Sequence, residues 1–172
     1  CREASKLIKP GDAVLLDDSS TALPIVEMLD QVVPLAIISN SLTVFEKVKE
    51  LEGVQEILIG GRYVNWANAF YGSLATDILK HLKADICFTS DAAISVRATY
   101  NPIDYVVDFK RAMFAAAKIK VLLADHQKFS RSAFQVTTEL DEFDYIVVDQ
   151  KVTPKQRAEL AESGAKVLLA ED

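Results

Sequence analysis

Long hydrophobic runs, cysteines and histidines are all scarce in this chain of 172 residues. The longest apolar stretch, 32–38, is interrupted by Pro34 and is far shorter than the about 20 residues of a membrane-spanning helix. No basic segment precedes an apolar run, so no signal peptide is visible. The two cysteines form no disulfide framework, and Cys87 lies in an apolar run typical of a buried, reduced thiol. These absences predict a soluble, cytoplasmic protein.

Positive charge is also in short supply. The chain has 19 Lys and Arg against 25 Asp and Glu, which gives a formal net charge of -6. A domain that grips DNA through its phosphates needs a basic face. We therefore expect this chain to bind nucleic acid poorly by itself.

The sequence signatures of common catalytic and metal sites are missing as well. The two histidines, His81 and His126, lie far apart, and no Cys/His cluster has the spacing of a zinc site. The chain contains no GxxxxGK[ST], GxGxxG or G-x-S-x-G segment. We therefore predict no catalytic residues, no metal and no cofactor.

Short apolar strands alternate with amphipathic helices along the whole chain. Hydrophobic residues make up 50% of it, which excludes a disordered protein. The alternation predicts an α/β fold: a mostly parallel, Rossmann-like sheet flanked by helices, in a single domain over residues 1–172. The predicted strands are 14–17, 35–39, 56–60, 85–90, 120–124, 145–148 and 166–170. The predicted helices are 22–29, 42–51, 74–82, 109–117 and 154–163, and 92–107 is predicted to be a loop with a short hairpin.

Several residues indicate where helices begin. Ser20 or Thr21 is the expected cap of the first helix, and Thr43 with Glu46 resembles a capping box. Because the chain starts with Cys1 rather than Met, we expect a fragment in which residues 4–8 end a helix that enters from an upstream part.

Small and polar residues follow the predicted strands. Ligands of open parallel sheets bind at this edge, where helix N-termini attract anions and short side chains leave room for them. Lys110 or Lys128 is the expected cation, and we expect Lys110→Ala to weaken binding without loss of the fold. For any single turn, simple capping or a tight turn is an equally good interpretation. The residues that this reasoning assigns to an anion site are Ser19, Ser20, Thr21, Ser39, Asn40, Ser41, Gly60, Gly61, Lys110 and Lys128.

These segments, in this order, resemble the C-terminal domain of DeoR-family transcriptional repressors over nearly the whole chain. KPGDAVLLDDSST resembles the opening strand and phosphate loop of the family, and IISNSL, ILIGG and YGSLA resemble its next three segments. FKRAMFAAAKIKVLLADHQKF resembles the helix that carries a Lys and the strand that ends in Asp-x-x-Lys-Phe. FDYIVVD resembles the late strand with its terminal Asp.

The resemblance implies a fold similar to that of ribose-5-phosphate isomerase, glucosamine-6-phosphate deaminase and CoA-transferases. It implies an upstream winged helix-turn-helix domain that lies outside this fragment and binds DNA. It also implies a homo-oligomer whose effector is a phosphorylated sugar or a related metabolite. Asp17 and Asp125 join the candidate site on this ground.

The chain departs from the family pattern around the expected site. Asp18-Ser19 stands where Ser-Gly is usual, the segment 90–93 lacks two usual glycines, and Val106 replaces a Glu one turn before Lys110. A second acid in the loop repels phosphate, so the departures predict an altered or lost effector.

Two alternatives to a sensor stay open. One is a sugar-phosphate isomerase-like enzyme, with Asp17, Asp18, Asp91 or Asp125 as its base, although no distinct acid-base constellation is visible. The other is a degenerate domain that only oligomerises, which the missing glycines favour over the enzyme.

Overall fold

The computed structural model describes residues 1–33 and 35–170. Pro34, Glu171 and Asp172 lie outside the described residues, and the single-domain organisation over 1–172 stays a prediction. The strands in chain order are β1 (Ala13–Leu16), β2 (Leu35–Ser39), β3 (Val54–Leu58), β4 (Arg62–Val64), β5 (Ala69–Tyr71), β6 (Ala84–Thr89), β7 (Ala93–Ile94), β8 (Ala98–Asn101), β9 (Ala117–Ala124), β10 (Gln135–Glu139), β11 (Tyr145–Val148) and β12 (Lys166–Leu169). The α-helices are α1 (Arg2–Ser5), α2 (Leu42–Val48), α3 (Ser73–Leu79), α4 (Asp104–Ala116) and α5 (Pro154–Ala161). Short 3-10 helices cover Leu23–Gln31, Asn65–Ala67, His126–Ser130 and Leu140–Glu142.

A seven-stranded parallel sheet in the order β12-β11-β9-β6-β1-β2-β3 forms the centre of the fold. Successive residues of its strands point to opposite faces. In β1, Leu15 packs into one apolar cluster with α3, α4 and α5, while Val14 and Leu16 pack into the other with α1, α2 and the 3-10 helix Leu23–Gln31. Both faces of the central strands are therefore buried, as in other parallel sheets covered by helices.

The predicted fold class is confirmed, and so are all seven predicted strands of this sheet within a few residues. Tyr145–Val148 and Leu35–Ser39 have the predicted bounds. The last helix begins as predicted, because Thr153 and Gln156 form a reciprocal capping box in front of Pro154.

The early helices differ from their prediction. The segment after β1 is a 3-10 helix, Leu23–Gln31, and neither Ser20 nor Thr21 caps it, since its N-cap is Ala22. Helix α2 starts directly after its N-cap Ser41, whose hydroxyl accepts from the Val44 amide, so the predicted Thr43–Glu46 capping box is wrong. Helix α1 ends at Ser5 rather than near residue 8.

Two small antiparallel sheets account for the segments that the sequence left irregular. Strands β4 and β5 form a hairpin, and β10, β8 and β7 form a three-stranded sheet in that order. The hairpin expected within 92–107 is β7–β8, whereas α4 begins at Asp104 rather than near residue 109. Strand β10 was not predicted.

Within residues 1–33 and 35–170, no helix is both long and apolar enough to cross a bilayer. In the same part of the chain, no cluster of His, Cys, Asp and Glu side chains could hold a metal ion.

Candidate functional site

A cleft of about 500 Å³ opens beyond the carboxyl ends of β1 and β6. Its walls come from the loops after these strands, from the segment that joins β8 to α4, and from the 3-10 helix His126–Ser130. This is the edge of a parallel sheet at which ligands bind. The lining residues are Asp18, Ser19, Ser20, Trp66, Ala67, Tyr71, Ser90, Asp91, Ala92, Asn101, Pro102, Ile103, Val106, Lys110, Lys128 and Arg131.

A buried ion pair forms the floor of this cleft. Asp17 is 1% exposed and Lys110 is 4% exposed. The Lys110 ammonium donates to a carboxylate oxygen of Asp17, to the Thr89 hydroxyl at 3.0 Å and to the Ser90 carbonyl at 2.6 Å. The pair thereby ties together the ends of β1 and β6 and the middle of α4.

Both members of the pair are charged. Burial by itself raises the pKa of the Asp17 carboxyl, but the Lys110 ammonium and the hydroxyls of Ser19 and Thr89 bring that pKa below its usual value. Burial likewise lowers the pKa of Lys110, but Asp17, followed by Asp91 and Asp18, raises that pKa above its usual value. Because Lys110 uses its three donors on protein acceptors, its charge is already matched by Asp17 without a ligand.

The other oxygen of Asp17 shapes the loop after β1. It accepts from the amide of Ser19 at 3.0 Å and from the Ser19 hydroxyl. The Ser19 hydroxyl in turn accepts from the Ala22 amide at 3.2 Å. In the described residues, the amides of Ser20 and Thr21 donate to no protein acceptor, and Ser20 lines the cleft.

Two cations at the rim of the cleft have little or no protein partner. Lys128 is half-buried, and burial lowers its pKa. Among the described residues, no acceptor lies within hydrogen-bonding distance of its ammonium group. Arg131 is exposed and makes one long contact, 3.5 Å, to the side chain of Gln127.

Two buried side chains in the cleft also have unpaired atoms. Asp91 is 5% exposed, and its Oδ1 accepts from Asn101 Nδ2 at 2.7 Å and from the Ala92 amide at 2.9 Å. Its Oδ2 has no partner among the described residues, and neither does the hydroxyl of Ser90, which is 1% exposed. Both atoms are enclosed by the surrounding protein, so neither offers a direct contact to a ligand in the cleft.

Asp18 adds a second acid beside the floor. It is only partly exposed, and burial, helped by the neighbouring charge of Asp17, raises the pKa of its carboxyl. The buried Tyr71 ring lies next to it, and burial together with the Asp18 charge raises the pKa of the Tyr71 hydroxyl.

Comparison with known proteins places the chain in a family. Residues 1–150 match the family described as the DeoR C terminal sensor domain. This chain belongs to that family.

Its relatives are regulators of transcription. The sensor domain is 32% identical over 147 residues to the transcriptional repressor AccR of Agrobacterium fabrum. The aligned region covers 83% of this chain and 56% of the repressor. It is 29% identical over 165 residues to the lactose phosphotransferase system repressor of Lactococcus lactis. That aligned region covers 94% of this chain and 64% of the relative. The chain therefore spans about 60% of the length of these relatives. Their names support a regulatory rather than an enzymatic role.

The fold is shared with an enzyme. Ribose 5-phosphate isomerase from Plasmodium falciparum superposes on the sensor domain with a TM-score of 0.52 at 12% sequence identity, covering 74% of this chain and 49% of the isomerase. At this identity the likeness shows the fold alone, because one fold hosts many functions.

Some of the site residues predicted from sequence come together in the sensor domain. Ser19, Ser20, Lys110 and Lys128 line the cleft, and Asp17 lies directly beneath it.

The Ser39-Asn40-Ser41 segment serves the fold instead. The Ser39 hydroxyl accepts from the Ser41 amide at 3.1 Å, and Ser41 caps α2. Asn40 donates to the Phe70 carbonyl at 2.9 Å and so holds the β4–β5 hairpin. None of the three lines the cleft.

The remaining predicted residues also lie outside the cleft. Thr21 and Asp125 line a separate cavity of about 110 Å³, and Asp125 caps the 3-10 helix that follows it. Gly60 and Gly61 begin the β4–β5 hairpin region. At Gly61, where φ is +155°, a Cβ atom would lie 2.7 Å from the Tyr71 carbonyl oxygen, so glycine is needed for packing.

Sequence reasoning missed Asn101, Tyr71 and Arg131 as cleft residues. Asn101 and Arg131 come from a hairpin strand and a connecting segment that carry no periodic signal. The sequence around Tyr71 shows no regular pattern, so no place in the cleft was predicted for it. Asp91 was named only as a possible base of an isomerase-like enzyme, although its place directly after a predicted strand is a signal that identifies it as a cleft residue.

Proposed function

We propose that this sensor domain binds a phosphorylated sugar or a related small metabolite in the cleft beyond β1 and β6. The hydroxyl and the free amide of Ser20 supply hydrogen-bond donors for a phosphate group, whereas the Ser19 hydroxyl already donates to Asp17. Lys128 and Arg131 supply positive charge from the 3-10 helix His126–Ser130 and the residue that follows it. The family resemblance points to the same class of effector.

The observation that carries this proposal is the position of Lys128. The side chain is half-buried among the lining residues, with Asp125 and Asp91 within electrostatic reach but no hydrogen-bonding partner for its ammonium group in the described part of the chain. Withdrawing a charge from water without pairing it costs free energy, which an anionic ligand would recover. Lys110 cannot take this role as readily, because Asp17 already neutralises it.

Effector binding would change DNA binding by the rest of the repressor. With a net charge of -6 the sensor domain is a poor DNA-binding surface, so operator binding belongs to a part of the protein outside this chain. An effector that prefers one arrangement of a cytoplasmic homo-oligomer would shift the population toward it and change DNA affinity. Exposed apolar side chains on α3, Leu74 at 69% and Ile78 at 38% exposure, support self-association.

A thermal-shift screen followed by calorimetry tests the proposal. Sugar phosphates, the matching free sugars and inorganic phosphate are compared, since a ligand that binds only the folded state raises the melting temperature. We expect a sugar phosphate to raise it and its free sugar to have little effect. Lys128→Met should weaken binding at least about tenfold, since hydrogen bonds to charged groups are among the strongest.

Lys83→Met is the matched control, because Lys83 is an exposed lysine that does not line the cleft. Equal loss of affinity in both variants would show an unspecific charge effect and contradict the site. No stabilisation by any sugar phosphate, with stable self-association in sedimentation, would favour a domain that only oligomerises.

A further inference from the structure

One wall of the cleft is made of apolar side chains. Trp66 and Ala67 come from the loop of the β4–β5 hairpin. Pro102, Ile103 and Val106 come from the segment that joins β8 to α4 and from the first turn of α4. We call these five residues the apolar wall. The cations at the rim belong to other elements, so the cleft combines a charged part with an apolar part.

The side chains of the apolar wall offer a ligand almost no hydrogen bonds. Their one polar group is the indole N–H of Trp66, which already donates to the Tyr105 hydroxyl at 3.3 Å. The Ile103 amide donates to Asn101 Oδ1 at 3.1 Å, and Pro102 has no amide hydrogen. Sugar hydroxyl groups against this wall would exchange hydrogen bonds with water for contacts with carbon, which costs free energy. The wall therefore favours a ring without hydroxyl groups.

Trp66 is held in place by its loop. It lies on the 3-10 helix Asn65–Ala67, which ends at Asn68 in the left-handed conformation with a φ of 48°. The Asn68 side chain accepts from the Tyr63 hydroxyl at 2.8 Å and donates to Thr43 Oγ1 at 3.0 Å, so the loop is anchored to α2. Trp66 is nevertheless 65% exposed and stacks on no other aromatic ring in the described part of the chain. An aromatic face that is fixed and uncovered is preorganised for stacking.

We propose that the effector is a small anionic molecule with an aromatic ring, which stacks on Trp66 while the anionic group binds Lys128 and Arg131. The ring is a nucleobase or an aryl group, since both present a π-face to the indole. The cleft of about 500 Å³ has room for both ends, because sites for drug-sized ligands measure about 300–1,000 Å³. This inference rests on the proposed function for the anionic end and makes Trp66 a specificity-determining residue.

Matched pairs of phosphate esters test the assignment. Phenyl phosphate is compared with methyl phosphate, and adenosine 5′-monophosphate with ribose 5-phosphate, because the members of each pair differ in the aromatic ring. We expect the aromatic member of at least one pair to bind about tenfold or more tightly in calorimetry, the size of one stacked ring. A preference confined to the second pair identifies the ring as a nucleobase, and one confined to the first identifies it as an aryl group.

Fluorescence gives a second measurement on the same residue. Trp66 is the only tryptophan of the chain, so the intrinsic tryptophan emission reports on the apolar wall alone. The aromatic member of the preferred pair should change this emission more than its partner does at equal saturation. An emission that stays constant while the aromatic phosphate binds would overturn the stacking.

Variants assign the preference to Trp66. Trp66→Ala should remove it, so that the two members of a pair bind with similar affinity, and Trp66→Phe should restore part of it through its smaller ring. Phe134→Ala is the matched control, because Phe134 is 81% exposed and does not line the cleft. A preference that survives in Trp66→Ala overturns the role of Trp66. If that variant also loses self-association in sedimentation, Trp66 belongs to a contact between copies of the chain instead.

The outcomes separate this inference from the proposed function. If both members of each pair bind equally tightly, the aromatic assignment fails and the anion site stands. If sugar phosphates bind but neither aromatic phosphate does, the aromatic assignment fails alone. If no phosphate compound of any kind binds, both proposals fail.

Discussion

Replacing Lys110 by Met removes one charge from the buried pair and leaves the other. Met keeps most of the aliphatic volume of the side chain, so the main change is the loss of the ammonium group. Asp17 would then be a carboxylate that is 1% exposed with no counter-charge in contact, and the Thr89 hydroxyl and Ser90 carbonyl would each lose a donor. Breaking a buried pair in this way typically costs about 3–5 kcal/mol.

Urea and thermal unfolding measure this loss. For a domain of this size each kcal/mol corresponds to about 2–4 °C, so the melting temperature should fall by about 6–20 °C. The sequence alone predicts that Lys110 can be replaced without loss of the fold. The structure predicts the opposite, because three acceptors at the ends of two strands depend on this one ammonium group.

The pH dependence provides an independent check. In the wild type the pKa of Asp17 is lowered, so its stabilising contribution is present above the unfolded pKa of about 3.9 and is lost as the pH falls through the folded pKa. The pKa of Lys110 is raised, so its contribution is present below the unfolded pKa and is lost only as the pH rises through the folded pKa. In Lys110→Met, burial raises the pKa of Asp17, and protonation relieves the penalty in acid. The stability difference between the two proteins should therefore narrow as the pH falls from neutral toward the unfolded Asp pKa of about 3.9.

A double variant isolates the cause. Asp17→Asn combined with Lys110→Met has no buried charge at this position and should be more stable than Lys110→Met alone. A loss of about 1 kcal/mol or less in the single variant, which is the size of an exposed pair, would refute the reasoning. So would a double variant that is no more stable than the single one.

Further predictions concern a glycine, a helix cap and the rim lysine. Gly61→Ala should destabilise the domain by about 1–3 kcal/mol in urea unfolding, because its Cβ would lie 2.7 Å from the Tyr71 carbonyl oxygen; Gly60→Ala, where no atom lies within 4 Å, is the control. Thr153→Ala should lose about 1 kcal/mol through loss of its capping box, and Thr153→Ser should restore it. Sugar-phosphate affinity should fall as the pH rises through the lowered pKa of Lys128, and in Lys128→Arg it should persist to higher pH; calorimetry across alkaline pH checks both.

The central sheet could be predicted because its strands are buried on both faces. A strand that is buried on both faces consists of a short run of apolar residues. Leu35–Ser39 and Tyr145–Val148 were predicted for that reason. The start of α4 was not found, because its first turn contains Val106 and Val107, which have no strong helical preference. Their burial at 4% and 1% exposure shows that tertiary packing determines the helix there.

The site was predictable only in part, for a related reason. Ser19 and Ser20 follow a strand directly, so the topology of a parallel sheet places them at its ligand-binding edge. Asn101 reaches the cleft through the antiparallel pairing of β8 with β10, and Arg131 follows the 3-10 helix His126–Ser130; no local pattern encodes either position. Lys110 looked like a free ligand cation because its partner Asp17 lies 93 residues away in sequence.

The division of the cleft into a satisfied floor and an unsatisfied rim determines where a ligand can act. A ligand shifts a conformational equilibrium only through contacts that differ between the two states. Asp17 and Lys110 already make their hydrogen bonds to protein groups, so ligand binding can change few of their contacts. Lys128 lies on the 3-10 helix His126–Ser130, which is joined to the end of β11 by the 2.7 Å contact between His126 Nδ1 and Asp149 Oδ2. Effector binding should therefore be transmitted through this short helix toward β11, while the floor holds β1, β6 and α4 in place.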